Sequence, residues 1–339
     1  MTTDIPFESW FTRKYASTDV CFLCGRDLND DNSTREHIFP QWVLNKFQLW
    51  DKKVKLLNGV MYEYKRSVIP CCNVCNNEHL SKLEAIIRNG VEGGYEYFRD
   101  NVSSIRIYQW AQLIFYKWLY KETFFREDIK NPESVRIVKE NNFNLMALNH
   151  LLLRSIDKEI HFENFFPGSV FICHLKTSDV PSKNFDYFDA VPEQCVAIRL
   201  GEIGIVVLLA DSDLQRNIFE DLTHTATTKH LAPIQFKNFF IECMYRQHIF
   251  KDPYVFELDE ISENSLKIIQ TTQSDFTGHV YGEWNPLDYA RLLSQVFGGT
   301  VNNFLIPTGI PSFLKGKDGS FRDRPFDDDG TTKKEDVAN

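Results

Sequence analysis

Two Cys-x-x-Cys pairs, Cys21-Phe22-Leu23-Cys24 and Cys72-Asn73-Val74-Cys75, constrain this chain more than any other feature. Each presents two thiolates to one cation, and together they can close a tetrahedral four-sulfur zinc site across a loop of roughly 47 residues. Four ligands leave no open coordination position, so such a site is structural. Gly25, directly after the first pair, lets the backbone turn tightly toward sulfur. Cys71 can replace Cys72, although only Cys72 has the x-x spacing to Cys75. The bland alternative is that these are ordinary buried cysteines. The opening residues, MTTDIPFESWFTRKY, lack the charged-then-apolar pattern of a secretory signal. No apolar run approaches the roughly 18–20 residues of a membrane span. A cytoplasmic, reducing setting is therefore expected, in which paired cysteines imply metal and not disulfides.

A zinc clamp alone does not require the residues around it. Glu36-His37-Ile38-Phe39-Pro40 reads as a strand running into a helix, with proline tolerated at the first turn. On an extended segment the side chains of Glu36 and His37 diverge, so one can bind a cation while the other faces water. Asn76 follows the second pair at the start of a helix and can bring its carbonyl oxygen toward Glu36. His79 is expected one helical turn on, on the same side, as a spare ligand or phosphate contact; Glu84 faces roughly the same way. Each has a plain structural reading as well: Glu36 as a capping acid, His37 as a satisfied histidine, Asn76 as a helix cap, His79 and Glu84 as exposed helix residues.

The rest of the chain implies an α+β fold. Val54–Leu57 and Val60–Tyr64 flank Asn58-Gly59, a strong hairpin signal. A helix is expected over Asn76–Asn89, with Gly90 as its stop and Gly90–Gly94 as a linker. Residues 102–125 form a long apolar helix whose Arg106, Gln109, Gln112 and Lys117 mark it as buried and not membrane-spanning; a second helix follows near 143–155. From about Gly168 the pattern turns to strands, with Gly201-Glu202 as another hairpin candidate. These readings divide the chain into an N-terminal module (1–92), a larger α+β domain (93–314), and a charged tail (315–339) expected to be disordered. A short helix is also expected around Pro6–Tyr15.

The first motifs resemble the HNH (ββα-metal) endonuclease family, in a zinc-bearing four-Cys subgroup. The family pattern is Cys-x-x-Cys, then Asp/Glu-His-Ile/Val-x-Pro, then Asn-Leu-x-x-Leu-Cys-x-x-Cys-Asn/His. It is matched here by Cys21/Cys24, Glu36-His37-Ile38-Phe39-Pro40 and Cys72/Cys75/Asn76, over about residues 15–88. The resemblance implies a compact ββα-metal module and a phosphodiester hydrolase. In it His37 is the general base that activates water, and Glu36 and Asn76 hold a catalytic Mg²⁺ or Mn²⁺, with His79 as an additional ligand. Zn²⁺ is then structural, at Cys21, Cys24, Cys72 and Cys75. The implied partner is nucleic acid, double-stranded DNA in particular, and family habit suggests a role in phage defence. The family's middle Asn, which helps orient the histidine, falls at Ser67; its hydroxyl or a backbone carbonyl can take that role.

The overall charge of −9 does not argue for DNA, but it is unevenly spread. Residues 1–90 hold 12 Lys/Arg against 11 Asp/Glu, so the acidic excess lies downstream. Lys52, Lys53, Lys55, Lys65 and Arg66 are weak candidates for phosphate contacts. Residues 93–314 carry no motif tied to chemistry; their size suggests target recognition, an effector or a homo-oligomer contact. A non-catalytic zinc module for nucleic-acid or protein interaction is the competing function. A general zinc hydrolase is a third, and it needs an open zinc position.

Overall fold

The computed structural model describes residues 17–327 apart from 57, 129, 132, 136–142, 164, 219, 252–253, 262–264, 273–277, 306–311 and 317. The helix expected around Pro6–Tyr15 lies outside them. The fold is α+β, and the chain divides into two compact units.

The first unit is built on a short antiparallel pair, β1 (Ser33–His37) and β4 (Val68–Cys72). Ser33 lies opposite Cys72, Glu36 opposite Ile69 and His37 opposite Val68. Between the two strands come helix α1 (Gln41–Lys46) and a hairpin of β2 (Lys53–Lys55) and β3 (Met61–Glu63). The hairpin turns at Asn58-Gly59, as its sequence requires: Gly59 sits at φ 79°, a left-handed conformation that glycine adopts without strain.

After β4 the chain enters a helix at Asn73, passes through a π-helical turn at Cys75–Leu80, and continues as α2 (Ser81–Glu92). Leu83 and Ile87 line its buried side. Gly90 is not the stop expected from sequence. It is buried inside the helix, and the break falls at Gly94, where φ is 83°.

The boundary at residue 92 also differs from the observed division. Residues 100–161 pack with the N-terminal segment in the first unit. The reason is α3 (Ser104–Thr123), which is buried without interruption from Ile107 to Tyr120. A helix that is apolar on all sides needs cover on all sides. Trp118 meets Phe39, Tyr116 stacks on Phe22, and the Tyr120 hydroxyl donates to the Ser17 carbonyl at 2.7 Å. Helix α4 (Phe143–Leu153) covers another side, with Gln112 donating to the Asn149 carbonyl at 3.2 Å.

The second unit holds a five-stranded sheet of β5 (Val170–Leu175), β6 (Phe185–Ala190), β7 (Cys195–Leu200), β8 (Ile203–Leu208) and β9 (His230–Leu231). The order is β9-β5-β8-β7-β6, antiparallel except for β9 beside β5. The β7–β8 hairpin turns at Gly201, φ 72°, where the sequence predicts it. Both central strands are fully buried and helix α5 (Pro233–Ile249) packs on them.

The segment from Lys315 is not a disordered tail as far as Asp327. Lys315 bridges Phe321, Arg324 is buried, and Gln235 donates to the Arg322 carbonyl at 2.6 Å. Its few apolar side chains find a place on the second unit, which its charged composition concealed.

Asp211 of the second unit is fully buried, and its carboxylate accepts hydrogen bonds from Ser169 (backbone and hydroxyl, 2.6 Å each) and from the Gln215 amide at 3.1 Å. Burial outweighs these bonds and pushes its pKa up to about 6. Between the ordinary carboxylate value and 6 the folded state holds more protons here than the unfolded state. This contribution to stability is therefore present at low pH and is lost as pH rises through about 6. Denaturant midpoints measured from pH 4 to pH 7 should fall for the wild type relative to Asp211→Asn.

Candidate functional site

The first Cys-x-x-Cys forms a tight turn: the Gly25 amide donates to the Cys21 carbonyl at 2.9 Å, and Gly25 takes a φ of 68°. The second begins at the end of β4, where the Cys75 amide donates to Cys72 Sγ at 3.4 Å. The pairing of β1 with β4 and the burial of both turns bring the four sulfurs of Cys21, Cys24, Cys72 and Cys75 within 4.8 Å of one another. Cys24 Sγ and Cys72 Sγ are 3.7 Å apart. A tetrahedral zinc with 2.3 Å bonds needs sulfur–sulfur edges of about 3.8 Å, so the cluster fits such an ion. Cys71 is excluded from the four: its sulfur approaches Cys21 alone, at 3.9 Å. Without a cation the thiols oppose one another's ionisation. S–H donation from Cys24, and also from Cys71 and Cys75, holds Cys21 well down, while the same contact pushes Cys24 up to about 12 and Cys75 higher still. A dication removes this mutual repulsion by stabilising all four thiolates together.

His150 supports the first turn from α4. Its Nε2 lies 3.0 Å from the Phe22 carbonyl and 2.9 Å from that of Leu23. Complete burial pushes its pKa down to about 3, so the ring is neutral and Nε2–H is the donor.

The clamp sets the start of the helix against β1. Asn76 Nδ2 donates to Thr34 Oγ1 at 3.1 Å, and that hydroxyl donates to the Cys71 carbonyl at 2.9 Å. Thr34 and Glu36 lie on one side of β1 and His37 on the other, as the two-residue period of a strand dictates. Asn76 thus reaches the side of the strand that carries Glu36, two residues away, or about 6.8 Å along the strand. Asn76 is not a helix cap: it lies inside the π-helical turn, and the side chain that accepts from the first turn is Cys72 Sγ, bonded by the Cys75 amide.

Glu36 is buried, and its carboxylate is taken. Lys117, from α3, makes a short hydrogen-bonded ion pair with Glu36 Oε1 and donates to the His37 carbonyl at 2.9 Å. Glu84 Oε1 lies 3.9 Å from the same ammonium. Burial pushes the Glu84 carboxyl up to about 8; Lys117 opposes this and Glu36 reinforces it. A Mg²⁺ or Mn²⁺ held by Glu36 and Asn76 does not fit this arrangement, because Glu36 already balances an internal cation.

His37 is half-buried. Its ring meets Trp50 edge-on at 5.9 Å, and burial lowers its pKa, leaving the imidazole unprotonated near neutrality. Its ring nitrogens have no hydrogen-bond partner among the described residues. Ser67 does not orient it: the Ser67 hydroxyl donates to the Glu63 carbonyl at 3.0 Å, and only its backbone, accepting from the Ile38 amide at 2.8 Å, touches the motif. The expected stacking of His79 over Asn76 assumes 3.6 residues per turn, whereas both lie in the wider π-helical turn, where a three-residue step carries His79 around the axis and away from Asn76. In the short turn after the hairpin, Lys65 pairs with Asp51 at 2.7 Å and Arg66 with Glu63 at 3.1 Å, so these basic groups are partly neutralised.

Comparison with family models, curated proteins and solved structures gives no match. No helix among the described residues is long and apolar enough to cross a membrane.

Metal analysis of the purified chain should find one zinc per molecule. Cys71→Ser should retain it, whereas Cys24→Ser and Cys75→Ser should lose it and show a lower thermal midpoint.

Proposed function

We propose that the first unit is a phosphodiester hydrolase of the HNH (ββα-metal) type acting on nucleic acid, with double-stranded DNA as the substrate. The observation that carries this reading is the Asn76–Thr34 hydrogen bond at 3.1 Å. It supports a four-sulfur clamp whose purpose is to hold an amide on the helix beside the strand-borne carboxylate.

His37 is the general base. An unprotonated imidazole near neutral pH, with ring nitrogens free of hydrogen-bond partners among the described residues, suits removal of a proton from an attacking water. The family resemblance makes Glu36 and Asn76 the oxygen donors for a divalent cation that would supply charge stabilisation to the scissile phosphate, a role the present Lys117–Glu36 pair does not fit. That role requires Glu36 to exchange its present partner. Zinc holds the fold and takes no part in the chemistry.

The ion pair between Lys117 and Glu36 favours a second reading. A carboxylate committed to a lysine suits a non-catalytic zinc module that uses the same scaffold for nucleic-acid or protein interaction.

Incubation of supercoiled plasmid with zinc-loaded protein and Mg²⁺ or Mn²⁺ separates the two. The nuclease reading expects nicking that falls at least a hundredfold in His37→Ala, with zinc content unchanged. Equal nicking with and without the His37→Ala change, or none by either in both the wild-type and the Lys117→Gln backgrounds, leaves the interaction module.

A further inference from the structure

Lys117 lies within the buried stretch of α3, and its ammonium has no exposed surface. Its polar partners among the described residues are all oxygen atoms. Glu36 Oε1 is in hydrogen-bond contact, and the carbonyl oxygens of His37 and Ile38 lie at 2.9 and 3.5 Å. Glu84 Oε1, at 3.9 Å, is buried and accepts no hydrogen bond. Two carboxylates and two backbone carbonyls converging on one point are the donor set of a hard divalent cation. An ammonium offers three donors and a single charge. It satisfies Glu36 and the two carbonyls and leaves Glu84 outside hydrogen-bond range, so the shell holds more oxygen than lysine uses.

We infer that Lys117 is a tethered occupant of a divalent-metal site formed by Glu36, Glu84 and the carbonyls of His37 and Ile38, and that it keeps the metal out. The described arrangement is the latched state of the module. Metal entry requires withdrawal of the Lys117 side chain, while β1 and α2 carry the other donors. Glu84 thereby acquires a function as the second carboxylate of the site, eight residues beyond Asn76 along the helix. The inference rests on reading Glu36 as a cation ligand; it does not require nuclease activity.

The test is Mn²⁺ binding, followed by loss of the free Mn²⁺ signal in electron paramagnetic resonance, with zinc-loaded full-length protein. Lys117→Gln removes the charge and keeps an amide that can donate to Glu36; Lys117→Met removes both, and zinc content with far-UV circular dichroism reports whether each folds. Lys117→Gln should bind one Mn²⁺ at least tenfold more tightly than the wild type. Adding Glu36→Gln should abolish that gain, and adding Glu84→Gln should reduce it. Equal affinity of Lys117→Gln and wild type, or a gain that survives Glu36→Gln, overturns the proposal. So does tight Mn²⁺ binding by the wild type that is lost in Glu36→Gln, a result that needs no Lys117 variant to fold. Mn²⁺ binding by Lys117→Gln without plasmid nicking leaves the latch standing and removes the nuclease reading instead.

Discussion

Four sulfurs lie within 4.8 Å of one another where the turn before β1 meets the helix start after β4. The strands β1 and β4 are five residues each, a length that gives a two-stranded ladder little stability by itself. The clamp joins the turn before β1 to the helix start after β4, so the register of the pair and the position of Asn76 are set by the same closure. The hydrogen bond from Asn76 to Thr34 follows from it. A dication would stabilise the four thiolates together.

Helix α3 supplies the second constraint. It is buried along nearly its whole length, and the aromatic contacts of Tyr116 and Trp118 with Phe22 and Phe39 make it part of the module. An apolar helix in that position would leave the Glu36 carboxylate unpaired in a low-dielectric interior, at a cost of several kcal/mol. Lys117 answers that need. The same residue that completes the fold therefore also occupies the Glu36 carboxylate.

Local features of the chain were legible where local chemistry decides them. The hairpins at Asn58-Gly59 and Gly201-Glu202 follow from the left-handed conformation that glycine permits. The choice of Cys72 over Cys71 follows from spacing and strand alternation. The position of His79 was misread because a π-helical turn changes the angular step per residue, and nothing in Cys75–Leu80 announces it. Ser67 offered a hydroxyl that a neighbouring carbonyl claimed first. Lys117 carried a signal in plain view: a lysine inside an apolar helix needs a buried counter-charge, but periodicity does not say which carboxylate supplies it.

The sequence by itself determined the four-sulfur site, the strand bearing Glu36 and His37, and the helix bearing Asn76, because each depends on residue type and spacing over a few positions. Only the tertiary structure decided that residues 100–161 complete the first unit and that Glu36 faces an ammonium. Those outcomes depend on which buried surfaces meet. A contact across 81 residues, as between Glu36 and Lys117, is set by the packing of α3 and not by anything near either residue in the chain.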